Sequence, residues 1–257
     1  MHPGSGSRPL EGSAGGRREL KRAVQALESL LRAGRDLGLD PPLVSDRALK
    51  YMDAPPRCRA AVQAAAPDQA ASLEELRERL GECRRCSLHA GRNAMVFGEG
   101  DPGADLVFVG EGPGREEDRA GKPFVGEAGG LLTRIIEAMG LTRGEVYICN
   151  VVKCRPPKNR DPRAEEIQAC LPFLRRQIEL IDPKVICTLG RVAGRGLLGH
   201  EFSMRRDRGR WWRYLGIPVM PTFHPAYLLR NEEAKKPVWE DVKKIMRVLG
   251  LGVKRDG

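Results

Sequence analysis

The chain has 257 residues, 41% of them hydrophobic, and a formal charge of +10. That length suits one substantial domain with an extension, or two small domains, and the basic balance favours an anionic partner, of which nucleic acid is the commonest. No stretch approaches the roughly 18 consecutive apolar residues of a membrane span, and the opening MHPGSGSRPLEGSAGG lacks an apolar signal core, so no membrane partner and a cytoplasmic location are expected.

Residues 1–16 are rich in Gly and Ser and read as disordered. Leu20, Val24, Leu27 and Leu31 fit one amphipathic helix over 17–37, and the Pro pairs and Ala run of 38–71 read as linker. Residues 1–71 are thus a low-complexity extension. The compact domain spans 72–252, opening on a capping box from Ser72 to Glu75, and 253–257 form a tail.

From Ser72 onward, strand and helix patterns alternate. Strands are expected near 105–110, 146–150, 184–189 and 217–222, with helices near 127–139, 164–180, 191–198 and 238–249. The alternation predicts an α/β fold: a three-layer α/β/α domain around a central, mostly parallel four-stranded sheet. Three of these apolar runs end on polar residues: LVFVG on Glu111, VYIC on Asn150 and PVMPTF on His224. In an open parallel sheet, ligands bind beyond the carboxyl ends of the strands. A carboxylate, an amide and an imidazole therefore meet in one crevice.

Cys83 and Cys86 form a C-x-x-C pair, and Cys154 and Cys170 are the best placed to complete a four-cysteine centre. In a reducing compartment such cysteines are ligands or buried thiols rather than disulfides. Four thiolates suit tetrahedral zinc or an iron–sulfur cluster, and spacing does not choose between them. Cys149 and Cys187 lie inside apolar strands, where cysteine packs as a small hydrophobe, and Cys58 has no visible partner.

Gly110-Glu111-Gly112-Pro113-Gly114 follows a strand but lacks the lysine of a nucleotide-triphosphate loop and the full dinucleotide pattern. Phe124 then sits in a Pro-Phe-Val-Gly turn before a helix. It either stacks on a planar ligand at the crevice or packs beneath the loop.

The segments GEGPGREEDRAGKPFVGEAGGLL, NVVKCRPPKNRDP and PTFHPAYLLRN, with Cys83, Cys86, Cys154 and Cys170, closely resemble the family 4 uracil-DNA glycosylases over roughly 72–250. The resemblance implies a 4Fe–4S cluster on those four cysteines. It implies excision of uracil from single- or double-stranded DNA, by a nucleoid-associated monomer that begins base excision repair. A covalently reacting branch of the superfamily carries a basic, His-containing insert where this chain has PPKNRDPRAEEIQ. Glu111 and Asn150 argue against the thymine- and hypoxanthine-active branches.

Transferred to these positions, the uracil site comprises Glu111, Gly112, Pro113, Glu117, Phe124, Asn150 and His224, with Glu111 and His224 catalytic. His224 would donate to uracil O2 as negative charge develops there, a contact worth about 3–4 kcal/mol. Asn150 would read the uracil edge, Phe124 would stack on the flipped base, and Glu111 would orient water or stabilise the cationic sugar. Glu117 would shape the pocket near C5. Phosphate contacts are expected from Lys158, Arg160, Arg206, Arg208 and Arg210. Leu228 is expected at the wedge that holds the duplex open, although a core-facing helix start explains the leucines after His224 equally well. The extension would serve a repair or replication partner. A non-catalytic DNA-binding module is the competing reading, against which the triplet Glu111, Asn150 and His224 argues; a redox protein is a third, separated by whether activity depends on the cluster's oxidation state.

Overall fold

Four apolar runs set the sheet. Leu106–Gly110 (β2), Tyr147–Asn150 (β3) and Val185–Leu189 (β4) are buried throughout, and Ile217–Thr222 (β6) over its last four residues. Strands buried on both faces require helices on both. The computed structural model describes residues 69–199 and 202–252. The expectations for residues 1–68, including the helix over 17–37, and for the tail at 253–257 lie outside those residues.

With Glu99–Gly100 as β1 and Trp212–Tyr214 as β5, the strand order is β1-β3-β2-β4-β6-β5. The inner four are parallel, with Val109 opposite Cys149 on one side and Thr188 on the other. Glu99–Gly100 (β1) and Trp212–Tyr214 (β5) add short antiparallel edges. The described sheet thus has six strands, not the expected four. Two- and three-residue strands carry no alternation long enough to read, and β5 lies in a segment that reads as a basic loop.

The described α-helices are Leu73–Leu80 (α1), Arg115–Ala120 (α2), Glu127–Ala138 (α3), Ala164–Ile181 (α4), Arg191–Leu198 (α5), Met204–Asp207 (α6), Pro225–Leu228 (α7) and Lys235–Val248 (α8). Ser72 starts α1 as its pattern predicts, its Oγ accepting from the Glu75 amide at 3.1 Å. The Glu75 carboxylate reaches back to the Ala71 amide at 2.6 Å, one residue earlier than in the usual box.

Alternate strand residues face opposite layers. Val107, Val109, Cys149 and Ile186 pack with α1, α4 and α5, while Leu106, Phe108, Ile148 and Cys187 pack with α3 and α8. This is the expected three-layer arrangement. Ile136 and Ile245 are fully buried, and truncating either to alanine should cost about 2–5 kcal/mol. Cys149 and Cys187 pack as apolar side chains, as their place inside strands implies.

The chain leaves β2 for β3 on one side, then crosses to β4 and β6 on the other. The carboxyl ends of β2 and β4 therefore border the switch point, where an open parallel sheet forms a crevice.

Candidate active site and cysteine centre

A cavity of about 560 Å³ opens at the carboxyl ends of β2, β3 and β6. Glu111, Gly112, Pro113, Glu117, Phe124, Asn150 and His224 all line it, drawn from three strand ends, α2 and the loop before α3. Asn159, Asp161, Tyr227 and Arg230 also line it. Nothing local in the sequence marks Asn159, Asp161 or Arg230 as pocket residues, because the fold alone brings the loop after β3 and the turn after α7 to the same mouth.

Asn150 is 1% exposed, and its Oδ1 has no hydrogen-bond partner among the described residues. A buried acceptor left open costs roughly 1–3 kcal/mol. Its presence on the wall of a cavity marks a place for a ligand donor. Gly110 makes this geometry possible, since any side chain there would overlap Asn150 Oδ1 and the Phe124 ring.

Phe124 packs beneath the loop and also faces the cavity. It is 6% exposed and belongs to the core beside α3, yet it lines the cavity with its ring centroid 5.5 Å from that of His224. Its φ is +53°, a left-handed conformation that costs a bulky residue of order 1–3 kcal/mol. Several contacts hold it there. Arg143 donates to the carbonyls of Pro123 at 2.9 Å and Phe124 at 3.2 Å. Glu117 Oε1 accepts from the amides of Val125 at 2.9 Å and Gly126 at 3.0 Å. Gly129 lets the Phe124 carbonyl lie against α3, where a Cβ would overlap it.

Glu117 also accepts from the Gly114 amide at 3.1 Å. Both of its oxygens are thus engaged by backbone amides that join the start of α2 to the Phe124 turn. It lines the cavity, but its visible work is to fix that turn.

His224 caps α7, its Nδ1 accepting from the Ala226 amide at 3.1 Å. A ring nitrogen that accepts carries no proton, so the neutral ring holds its proton on Nε2. Burial pushes the His224 pKa down to about 4, against the opposing pull of Glu117. At neutral pH the ring is therefore an uncharged donor. Glu111 follows β2, and its pKa is pushed up to about 7 by burial and by Asp161, with Arg191 opposing. Asp161 and Arg191 form an ion pair at the rim.

The four cysteines singled out from the sequence pack against one core face. Cys154 and Cys170 are buried and Cys83 and Cys86 half-buried, all as free thiols. Burial pushes the Cys86 and Cys154 thiols up, and Cys170 up to about 12, each raised further by neighbouring sulfurs. Arg92 donates to Cys154 Sγ at 3.3 Å and to the Cys83 carbonyl at 2.8 Å, and Arg85 donates to Cys83 Sγ at 3.3 Å. Two guanidinium groups aimed at sulfur suit thiolates. Among the described residues, no three His, Cys, Asp or Glu side chains are grouped to hold a single metal ion. Tetrahedral zinc would need its thiolates about 2.3 Å from one centre. Four thiolates can also hold an iron–sulfur cluster, one to each iron.

The expected phosphate contacts divide. Lys158 and Arg210 are exposed. Arg206 pairs with Asp207 at 2.8 Å. Arg160 makes a bidentate pair with fully buried Glu166 at 2.7 and 2.8 Å, which holds that carboxyl down at about 2. Arg208 is bound to buried Asp241 at 2.5 Å and to the Pro237 carbonyl at 3.1 Å. Arg160 and Arg208 are thus tied into the fold. Leu228 requires correction: it is 1% exposed and belongs to the core of the α3 and α8 layer, because α7 turns it inward. Its neighbours Tyr227 and Leu229 are 42% and 41% exposed.

The profile of the uracil DNA glycosylase superfamily matches residues 97–243. The chain is 49% identical over 193 residues to the type-4 uracil-DNA glycosylase of Sulfurisphaera tokodaii, covering 72% of this chain and 87% of that protein. It is 50% identical over 176 residues to the type-4 enzyme of Thermotoga maritima, covering 67% of this chain and 92% of that one. Against the type-4 enzyme of Saccharolobus solfataricus the identity is 45% over 188 residues, 69% of this chain and 87% of that protein. On this evidence the chain belongs to the type-4 family of the uracil-DNA glycosylase superfamily.

Proposed function

We propose that this protein hydrolyses the N-glycosidic bond of deoxyuridine in single- or double-stranded DNA, releasing uracil and leaving an abasic site for base excision repair. The observation that carries the reading is the open Oδ1 of buried Asn150, in a crevice shared with Phe124 and His224. Uracil offers an N3–H donor to Oδ1 and an O4 acceptor to the Asn150 amide nitrogen. Cytosine presents the reverse order, so the same amide rejects it.

Each side chain then has a defined task. The flipped base stacks on Phe124, a contact worth roughly 1–3 kcal/mol. As the C1′–N1 bond breaks, its electron pair moves to the base and collects largely on O2. The Nε2–H of His224, already neutral and oriented, donates to that oxygen, as an oxyanion-hole donor does. The sugar becomes cationic at C1′, and the anionic form of Glu111 stabilises it and orients the water that adds there. That water loses its proton to Glu111 or to solvent. Glu117 acts by fixing the Phe124 turn and the wall formed by Gly112 and Pro113.

Cys83, Cys86, Cys154 and Cys170 would hold a 4Fe–4S cluster, whose contribution when bound is to cross-link the start of the domain, the loop after β3 and α4. Lys158, Arg206 and Arg210 would contact phosphates, with Tyr227 exposed at the mouth and Leu229 exposed two residues further along the chain. The protein would act as a monomer at the nucleoid, with residues 1–71 serving a repair or replication partner. No described helix is long and apolar enough to cross a membrane.

The test is excision from an end-labelled oligonucleotide carrying one uracil, with a thymine control and alkaline cleavage at abasic sites. Cleavage of the uracil strand alone supports the reading. Binding to DNA with no abasic sites contradicts it.

A further inference from the structure

Asn150 and Cys154 stand at the two ends of one short segment. Between them, Lys153 is 1% exposed, although it carries an ammonium group. Burying a charge is expensive unless it is fully bonded, and an apolar residue of similar length would fill the same space without that cost. Its Nζ donates to the Asn150 carbonyl at 2.8 Å and to Gln177 Oε1 at 2.5 Å. Gln177, also fully buried, donates onward to the Phe97 carbonyl at 3.0 Å and to the Tyr147 hydroxyl at 3.3 Å. The main chain of Lys153 points the other way. Its carbonyl accepts from the Val96 amide at 2.8 Å, and the residue that follows it is Cys154 of the cysteine centre. The intervening amides of Val151 and Val152 donate to the carbonyls of Gly110 and Glu111 at 2.9 and 3.1 Å.

We propose that Lys153 is a positioning residue. Its side chain fixes the peptide of Asn150, and with it the base-reading amide, while its backbone leads directly into Cys154 of the cysteine centre. The cysteine centre is thereby mechanically linked to uracil recognition, and a disturbance at Cys170 or Cys154 is felt at Asn150 rather than only in global stability. The inference rests on the uracil reading and specifies how that site is held.

The test compares the cluster-loaded parent with Lys153→Met, which keeps the length and removes the donors. Gln177→Leu reads the same link from its far end, without touching the chain beside the cysteines. Four quantities are measured: visible cluster absorbance per protein, affinity for undamaged duplex, uracil excision, and inhibition by free uracil. Absorbance and duplex affinity should stay within about two-fold, whereas excision and free-uracil affinity should fall together by about ten-fold, the worth of one charge-assisted hydrogen bond. Gln177→Leu should move the same two quantities in the same direction, and it carries the test alone if Lys153→Met does not fold. Excision unchanged in the folded variants overturns the link, as does a fall matched by equal losses of absorbance and duplex affinity. A parent that releases no uracil sinks the functional reading itself. An active parent with unaffected variants sinks the link alone.

Discussion

The amide of Ala226 donates to Nδ1 of His224 at 3.1 Å, and this contact decides which nitrogen of the ring carries the proton. His224→Ala should lower the rate of uracil release by about a hundred- to a thousand-fold, the loss of one preorganised donor worth ~3–4 kcal/mol. Because burial lowers the His224 pKa to about 4, folded protein binds fewer protons here than unfolded chain, whose ordinary value is 6.5. The associated stability is fully present above 6.5 and is lost as pH falls through about 4. Thermal melts of parent and His224→Ala should therefore differ in their acid limb, while the parent rate shows no histidine step between about pH 5 and 9.

Glu111 runs in the opposite sense. Its pKa is raised from 4.5 to about 7, so between these values the folded protein holds a proton that the unfolded chain releases. Stability from this site is greatest below 4.5 and declines as pH rises through about 7. Glu111→Gln should raise the melting temperature at pH 8 and leave it nearly unchanged at pH 4. If the anion is the working form, the parent rate rises with pH to a plateau above about 7, and Glu111→Gln removes that step.

Asn150 separates function from stability. Its Oδ1 has no partner among the described residues, so truncation removes an open acceptor rather than a made bond there. Asn150→Ala should cut uracil excision by about ten- to a hundred-fold, as for the loss of a buried polar contact to the base. Its melting temperature should fall less than that of a buried asparagine with both ends bonded. Calorimetry and single-turnover kinetics on one preparation check both statements.

Gly129→Ala places a methyl group against the Phe124 carbonyl, which is backbone and cannot step aside cheaply. The turn held by Arg143 and Glu117 must shift, and the stacking surface with it. Excision should fall by about ten-fold or more, matching the loss of a base–aromatic stack, with intrinsic fluorescence and melting used to confirm a folded domain.

Two nearby arginines should behave differently. Arg210 is exposed, and Arg210→Ala should reduce the slope of log affinity against log salt by about 0.9 on duplex DNA if it meets one phosphate. Arg208 is bound to buried Asp241, so Arg208→Ala leaves a carboxylate unpaired and should destabilise by about 3–5 kcal/mol. Salt titrations of DNA affinity, paired with denaturant melts, distinguish the two.

Much of this is legible in the residues because the parallel strands are short, largely buried runs, three of which end on a polar group. Glu111, Asn150 and His224 stand where that rule puts them, and all line one cavity. What escapes is set by contacts distant in sequence. Leu228 reads as a wedge until α7 is seen to turn it inward, and nothing local in the sequence shows that Arg160 pairs with Glu166. The edge strands Glu99–Gly100 and Trp212–Tyr214 are too short to leave a period. Asp161 and Arg230 reach the pocket only through the folded path of their loops.

The most direct test is single-turnover uracil release by the parent, His224→Ala and Asn150→Ala, with affinity for undamaged duplex measured on the same samples. The account predicts rapid uracil release by the parent, none from matched thymine or cytosine strands, and a large loss in both variants at unchanged duplex affinity. Equal release by parent and variants, or loss of release only in step with loss of DNA affinity, would contradict it.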